Sequence, residues 1–202
     1  MAWTYLVNTP LGEFALFIGQ TENEQQQALP FEVWVNGTNQ PRGLGAVAKT
    51  LSMDMRSNDN QWLKLKLDSL MRTVGEQSFE LQFPPLGENK VVPSVVSAFA
   101  QIVLYRCQKL GYFDTDSAHP VLDSMFSLHE PKTSTDGTLS WTVDIANPAT
   151  GEEFVLGLKE VVLAGGATRP YAMWLAGNYP RALDGLSRIL SLDMRVIDPA
   201  WI

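Results

Sequence analysis

PFEVWVNGTNQPRGLGAVAKTLSMDMRSNDNQWL (residues 30–63) and PYAMWLAGNYPRALDGLSRILSLDMRVIDPAWI (residues 170–202) carry many of the same residues in the same order. With one residue skipped in the loop, Trp34 aligns with Trp174, Gly37 with Gly177 and Pro41-Arg42 with Pro180-Arg181. Leu44 then aligns with Leu183, Leu51-Ser52 with Leu190-Ser191, and Asp54-Met55-Arg56 with Asp193-Met194-Arg195. Asp59 and Trp62 fall against Asp198 and Trp201. An upstream echo pairs WTYLVNTPLGEF (residues 3–14) with WTVDIANPATGEEF (residues 141–154). Each of these gives a strand, a turn containing proline and Gly-Glu, and a phenylalanine opening a second strand, which is a β-hairpin pattern. So many identities in one order are improbable by chance, and they predict a duplicated unit.

Each copy reads as hairpin, third strand, proline turn and helix. Phe31, Val33 and Val35 alternate with Glu32 and Trp34, the period of a strand with one buried face. Leu44, Val47, Ala48, Leu51 and Met55 form one helical stripe, and Leu183, Leu186, Leu190 and Met194 keep the same spacing. Pro41 and Pro180 suit turn or first helical positions. Three strands and one helix cannot bury both faces of a sheet. The expected fold is therefore α+β, with two β-β-β-α units about a pseudo-twofold axis. Their antiparallel sheets are expected to join into one layer or sandwich with helices packed against it. The expected organisation is residues 1–63 for the first unit, 64–138 for a helical and loop insertion, and 139–202 for the second unit, all in one domain.

The insertion begins ambiguously. Leu63, Leu67, Leu70, Met71 and Val74 have helical spacing, but WLKLKL also alternates as a strand does. FELQFPPLGENKVV (residues 79–92) is rich in turn formers. Pro93 is expected to open a second helix with Val95, Val96, Phe99, Ile102 and Val103 inward and Gly111 as its stop. YFDTDSAHPVLDSMFSLHEPKTSTDG (residues 112–137) has no sustained period, which predicts disorder or a surface wrap, with a partner-binding segment as the alternative.

Hydrophobic residues make up 45% of the 202-residue chain and charged residues 18%, a globular balance. No apolar run reaches the roughly 18 residues of a membrane span. The N-terminus lacks the basic start and apolar block of a secretion signal, so a cytoplasmic location is expected. Cys107 is the only cysteine, which rules out an internal disulfide or a cysteine-based zinc cluster. A net charge of −7 argues against general nucleic-acid binding. It leaves room for a small nucleotide in a local pocket or for a partner with a basic patch.

Few residues suggest chemistry. Arg42 and Arg181 precede the two helices, where free backbone N–H groups and a guanidinium together suit an anion. Asp54 lies at the edge of an apolar stripe and needs a partner, for which Arg42 and Arg181 are candidates. A ligand held by Asp54 and Arg56, or by Asp193 and Arg195, is the functional alternative. Neither phosphate-loop nor dinucleotide fingerprint is present. His119 and His129, with Asp114, Asp116 or Glu130, lack the close spacing of metal ligands and read as solvated loop residues. No nucleophile and base can be paired, so no catalytic residue is assigned.

PFEVWVNG, PRGLGAVAKTLSMDMRSND and WLKLKLDSL together resemble the TSCPD-type module of adenosylcobalamin-dependent (class II) ribonucleotide reductases. The likeness is closer to the small separate subunit of the split form of that enzyme. It extends more weakly through PSVVSAFAQIVLYRCQKLG and the second unit. The resemblance implies a noncatalytic accessory or regulatory role in deoxyribonucleotide synthesis, supporting DNA replication. It implies a large catalytic subunit as partner, with adenosylcobalamin bound there and no cofactor on this chain. Disulfide relay, which such reductases use, needs two thiols in exchange range, and Cys107 has no second cysteine. A stand-alone binder of a nucleotide or other small anion is the alternative reading.

Overall fold

The computed structural model describes residues 1–83, 87–115 and 118–197. Its elements are β1 (Ala2–Thr9), β2 (Gly12–Glu22), β3 (Ala28–Asn36), α1 (Leu44–Met55) and α2 (Asn60–Met71). There follow β4 (Phe79–Gln82), β5 (Asn89–Val92), α3 (Val95–Lys109), β6 (Ser140–Asn147), β7 (Glu152–Val162), β8 (Thr168–Gly177) and α4 (Leu183–Asp193). The chain is α+β, and all its sheets are antiparallel. Helix α2 begins before residue 63, so the first unit and the insertion share it.

The two units agree in register as well as in element order. Trp3 faces Ile18 and Phe17 faces Trp34 in the first; Trp141 faces Leu158 and Gly157 faces Trp174 in the second. A bulge interrupts β2 between Gly19 and Gln20, and β7 at the matching place between Lys159 and Glu160. Ser52 Oγ of α1 accepts from Val33 N–H and donates to Val33 C=O, each at 2.9 Å. Ser191 Oγ of α4 likewise accepts from Met173 N–H at 2.9 Å, with Met173 C=O 3.4 Å away and its hydrogen directed to the nearer Ser187 C=O at 2.7 Å. These hydroxyls occupy backbone groups on the open edges of β3 and β8, where another strand would have to pair. The sheets accordingly stay separate, with orders β1-β2-β3 and β6-β7-β8, and the expected merger into one layer does not occur. They do not form a sandwich either. Like ends of α1 and α4 lie together, since a side-chain carbon at Gly43 would stand 2.9 Å from Leu183.

One main core holds Val7, Phe14, Leu16, Ile18 and Val33 of the first sheet with the expected α1 stripe and the inner faces of α2 and α3. No residue of the second sheet belongs to it. The expected α4 stripe is correspondingly only half-buried; Gly185, Ser187, Ile189, Ser191 and Leu192 are the buried positions. Phe31 departs from the expected inward alternation. It is the extra residue at the register slip, left without a partner between Glu32, opposite Gly19, and Pro30, opposite Gln20, and is exposed beneath the Arg56 guanidinium.

In the insertion, WLKLKL is helical, and α2 ends before Val74, which is exposed. In the turn-rich stretch β4 and β5 pair antiparallel; residues 84–86 lie outside the described residues. Helix α3 starts after Ser94, whose hydroxyl accepts from Ser97 N–H at 3.0 Å, rather than at Pro93. Gly111, in the left-handed region, follows its end as expected. The aperiodic segment wraps the surface and is tied down by Asp59 and by a bridge between Met125 and Val196. Among the described residues no helix is long and apolar enough to cross a membrane.

Candidate functional site

Two places gather the residues singled out in the sequence. The first lies at the C-terminal ends of α1 and α4. Leu63, Lys66, Leu67 and Leu70 share one face of α2, so a lysine occupies a position in an apolar stripe. Its side chain is fully buried, and its ammonium lies 2.7 Å from Asp54 Oδ1 and 2.6 Å from Asp193 Oδ1. Trp62 Nε1 also donates to Asp54 Oδ1, at 2.8 Å. The matched aspartates of the two units thus meet on one cation supplied by the insertion. This replaces the expected pairing of Asp54 with Arg42 or Arg181.

The remaining members of the Asp-Met-Arg motifs do not join them. Arg56 lies outside, against Phe31 and 3.8 Å from Glu32. Arg195 is buried and donates to the Ser191 and Leu128 carbonyls at 2.9 and 3.4 Å. An Asp-Arg ligand pair is therefore not assembled at either motif. The matches of Asp59 to Asp198 and Trp62 to Trp201 fall partly outside the described residues.

Asp54 shares the Lys66 ammonium with Asp193 in a low-dielectric interior. Burial pushes the Asp54 carboxyl up to about 6; Lys66 opposes this and the Asp193 charge reinforces it. In the unfolded chain the same carboxyl titrates near 3.8. The folded protein consequently holds the extra proton between these values, and this contribution to stability is lost as pH rises from about 4 to about 6. Asp54→Asn removes the titration while keeping an oxygen for Trp62 and Lys66. The stability of the wild type relative to Asp54→Asn should fall by about 2 kcal/mol between pH 4 and pH 7. Urea unfolding of both proteins across that range checks this, and parallel profiles would refute the assignment.

The second place is a cavity of about 330 Å³ between the N-terminal ends of α1 and α4, lined by both Arg42 and Arg181. The sequence placed an arginine before each helix, and the fold brings the two to one pocket. Each is already matched by a carboxylate from elsewhere. Arg42 makes a bidentate pair with Glu152 at 2.6 and 2.7 Å, and Arg181 meets Glu76 at 3.4 Å over the Tyr179 ring. The Thr150 hydroxyl and then Arg42 hold the Glu152 carboxyl below its usual value. A phosphate entering here would compete with Glu152 for the planar guanidinium fork.

His119 is half-buried, its Nδ1 3.4 Å from Asp59 Oδ1, and so is less solvated than expected; His129 is exposed. Asp116 lies outside the described residues. Among the described residues no three histidine, cysteine or carboxylate side chains gather as metal ligands. Cys107 is buried in α3 with its thiol pushed up to about 12 by burial, which suits packing rather than reactivity. Compared with protein-family models, curated proteins and solved structures, the chain matches none.

Proposed function

We propose that this chain is a noncatalytic accessory subunit that works by binding a protein partner. The observation that carries the reading is the second sheet. Its face bearing Trp141, Val143, Phe154, Leu156 and Leu158 corresponds by register to the buried face of the first sheet, yet joins neither hydrophobic core. Phe154, Leu156 and Leu158 are half-buried where their counterparts Phe14, Leu16 and Ile18 are 1%, 0% and 1% exposed, and Val143 is 43% exposed; Trp141, at 46%, is as open as its counterpart Trp3 at 43%. An apolar surface of this kind fits an interaction site. The shared register and bulge support reading the two units as copies of one β-β-β-α element, the second with its apolar face left for another molecule.

The resemblance of residues 30–70 to the TSCPD-type module makes the large, adenosylcobalamin-dependent subunit of a class II ribonucleotide reductase the partner to test. The chain is expected to co-elute with that subunit in size-exclusion chromatography. It should also change the rate or nucleotide regulation of ribonucleoside reduction when added. No complex and no change in either property would reject the proposal. The alternative of a stand-alone nucleotide or anion binder has less support, because both cavity arginines already face carboxylates.

A further inference from the structure

The partner's chemistry can be argued from what covers the first sheet. Helix α3 lies on that sheet's inner face, with Phe99, Ile102 and Val103 in the shared core. Near its C-terminal end the Arg106 guanidinium sits 3.8 Å from the centre of the Trp3 ring and donates to Gln20 Oε1 at 3.2 Å. Trp3 Nε1 donates to the same oxygen at 3.0 Å. Helix, arginine, indole and side-chain oxygen form one closed arrangement.

In the second unit Trp141 takes the place of Trp3 and Glu160 that of Gln20. The backbone fixes this correspondence. Gln20 N–H donates to Met1 C=O at 2.9 Å, and Glu160 N–H donates to Leu139 C=O at 2.8 Å beside the matching bulge. Among the described residues no helix takes the place of α3 there; α4 packs on β8 as α1 packs on β3. Among the described residues no side chain bonds to the Glu160 carboxylate or the Trp141 indole. Where the first unit has a neutral amide under a guanidinium, the second has a full negative charge with no cation. A carboxylate binds a guanidinium more strongly than an amide does, and an adjacent indole face adds to the attraction.

We infer that the open face of the second sheet receives an amphipathic helix from a protein partner, and that this helix carries a basic residue seated over Trp141 and against Glu160. The inference rests on the reading that the chain binds a protein. A second copy presenting the same face would bring another Glu160 rather than a cation, so the occupant is a helix of the α3 type from a different protein.

The test uses the full chain and a stapled helical peptide of residues 94–110 with Cys107→Ala, labelled for fluorescence anisotropy. Saturable binding is expected, weakened about tenfold or more by Trp141→Ala and about tenfold by Glu160→Arg. Binding to Glu160→Arg should return when the peptide carries Arg106→Glu, a charge swap that a misfolded variant would not reproduce. Absence of saturable binding, or binding indifferent to both Trp141 and Glu160, would overturn the inference. So would a concentration-dependent dimer of the chain abolished by Val143→Asp, which would assign the face to a second copy. A reductase subunit that binds wild type and Glu160→Arg equally would defeat the helix inference and leave the accessory role standing. Peptide binding with the charge swap intact, but no reductase complex, would defeat the reductase assignment alone.

Discussion

Replacing Lys66 with methionine is expected to destabilise the fold by about 3–5 kcal/mol at neutral pH, the cost of removing one partner from a buried ion pair. Methionine fills the stem of the lysine, so the loss is chiefly electrostatic. What remains is Asp54, 2% exposed, and Asp193, 18% exposed, with their common cation gone. Trp62 Nε1 still reaches Asp54 Oδ1, but one neutral donor does not offset the desolvation of a carboxylate. The ammonium also lies 4.7 Å from the centre of the Trp62 ring, and the substitution removes that cation–π attraction as well. Two further observations separate charge from packing. Acidification should shrink the penalty, because protonation removes the charges that Lys66 neutralised. Adding Asp54→Asn and Asp193→Asn to Lys66→Met should recover most of the lost stability. Urea unfolding at pH 5 and pH 7 measures both effects. A Lys66→Met loss below about 1 kcal/mol, or one indifferent to pH, would mean that the cluster does not hold the units together.

That cluster shows where the sequence was legible and where it was not. The α1 stripe of Leu44, Val47, Leu51 and Met55 could be read because period and burial coincide when a helix lies on a covered sheet. The same spacing in α4 misled. Leu183, Leu186 and Leu190 have the pattern of core residues but are half-buried, and among the described residues no second helix covers their sheet as α3 covers the first. Periodicity reports which face is apolar, and only the neighbours decide whether that face is buried. Aligning the two units exposed Asp54 and Asp193 as equivalents, yet their meeting point is Lys66, in the insertion between them. A residue with no counterpart is invisible to such an alignment. The signal for it was Lys66 in the stripe Leu63, Leu67 and Leu70, a cation where an apolar side chain belongs. Arg42 and Arg181 were likewise legible as equivalents before helices. Their carboxylates, Glu152 and Glu76, are not equivalents, and only the fold brings them there. The significance of Glu160 lay in a register that a turn two residues longer in the second hairpin obscures.

In the sequence Asp59 stands out only as the match of Asp198, and Asp59→Ala is expected to cost about 2–4 kcal/mol and to release the long loop. Asp59 is fully buried and works in two directions. Its Oδ1 accepts from Trp62 N–H at 2.9 Å, capping α2. Its Oδ2 accepts from Val121 N–H and Leu122 N–H, both at 3.0 Å. Loss of a cap costs about 1 kcal/mol, and a buried amide left without an acceptor costs about 1–3 kcal/mol. Val121 is buried and Leu122 half-buried, so water can rescue the second amide more readily than the first. Downstream, Phe126 N–H donates to Arg195 C=O at 3.0 Å and Ile197 N–H to Ser124 C=O at 2.9 Å, so the loop is clamped to the end of α4. Amide hydrogen exchange should therefore accelerate first at Val121 and Leu122 and then at Phe126, before the core helices open. Asp59→Asn sharpens the test. Its remaining oxygen can keep the cap on Trp62, whereas its amide group turned toward Val121 and Leu122 sets donor against donor. The asparagine variant should therefore spare α2 and loosen the loop nearly as much as alanine does. Unchanged protection at Val121 and Leu122 in both variants would show that the loop is held by its hydrogen bonds to the end of α4 instead.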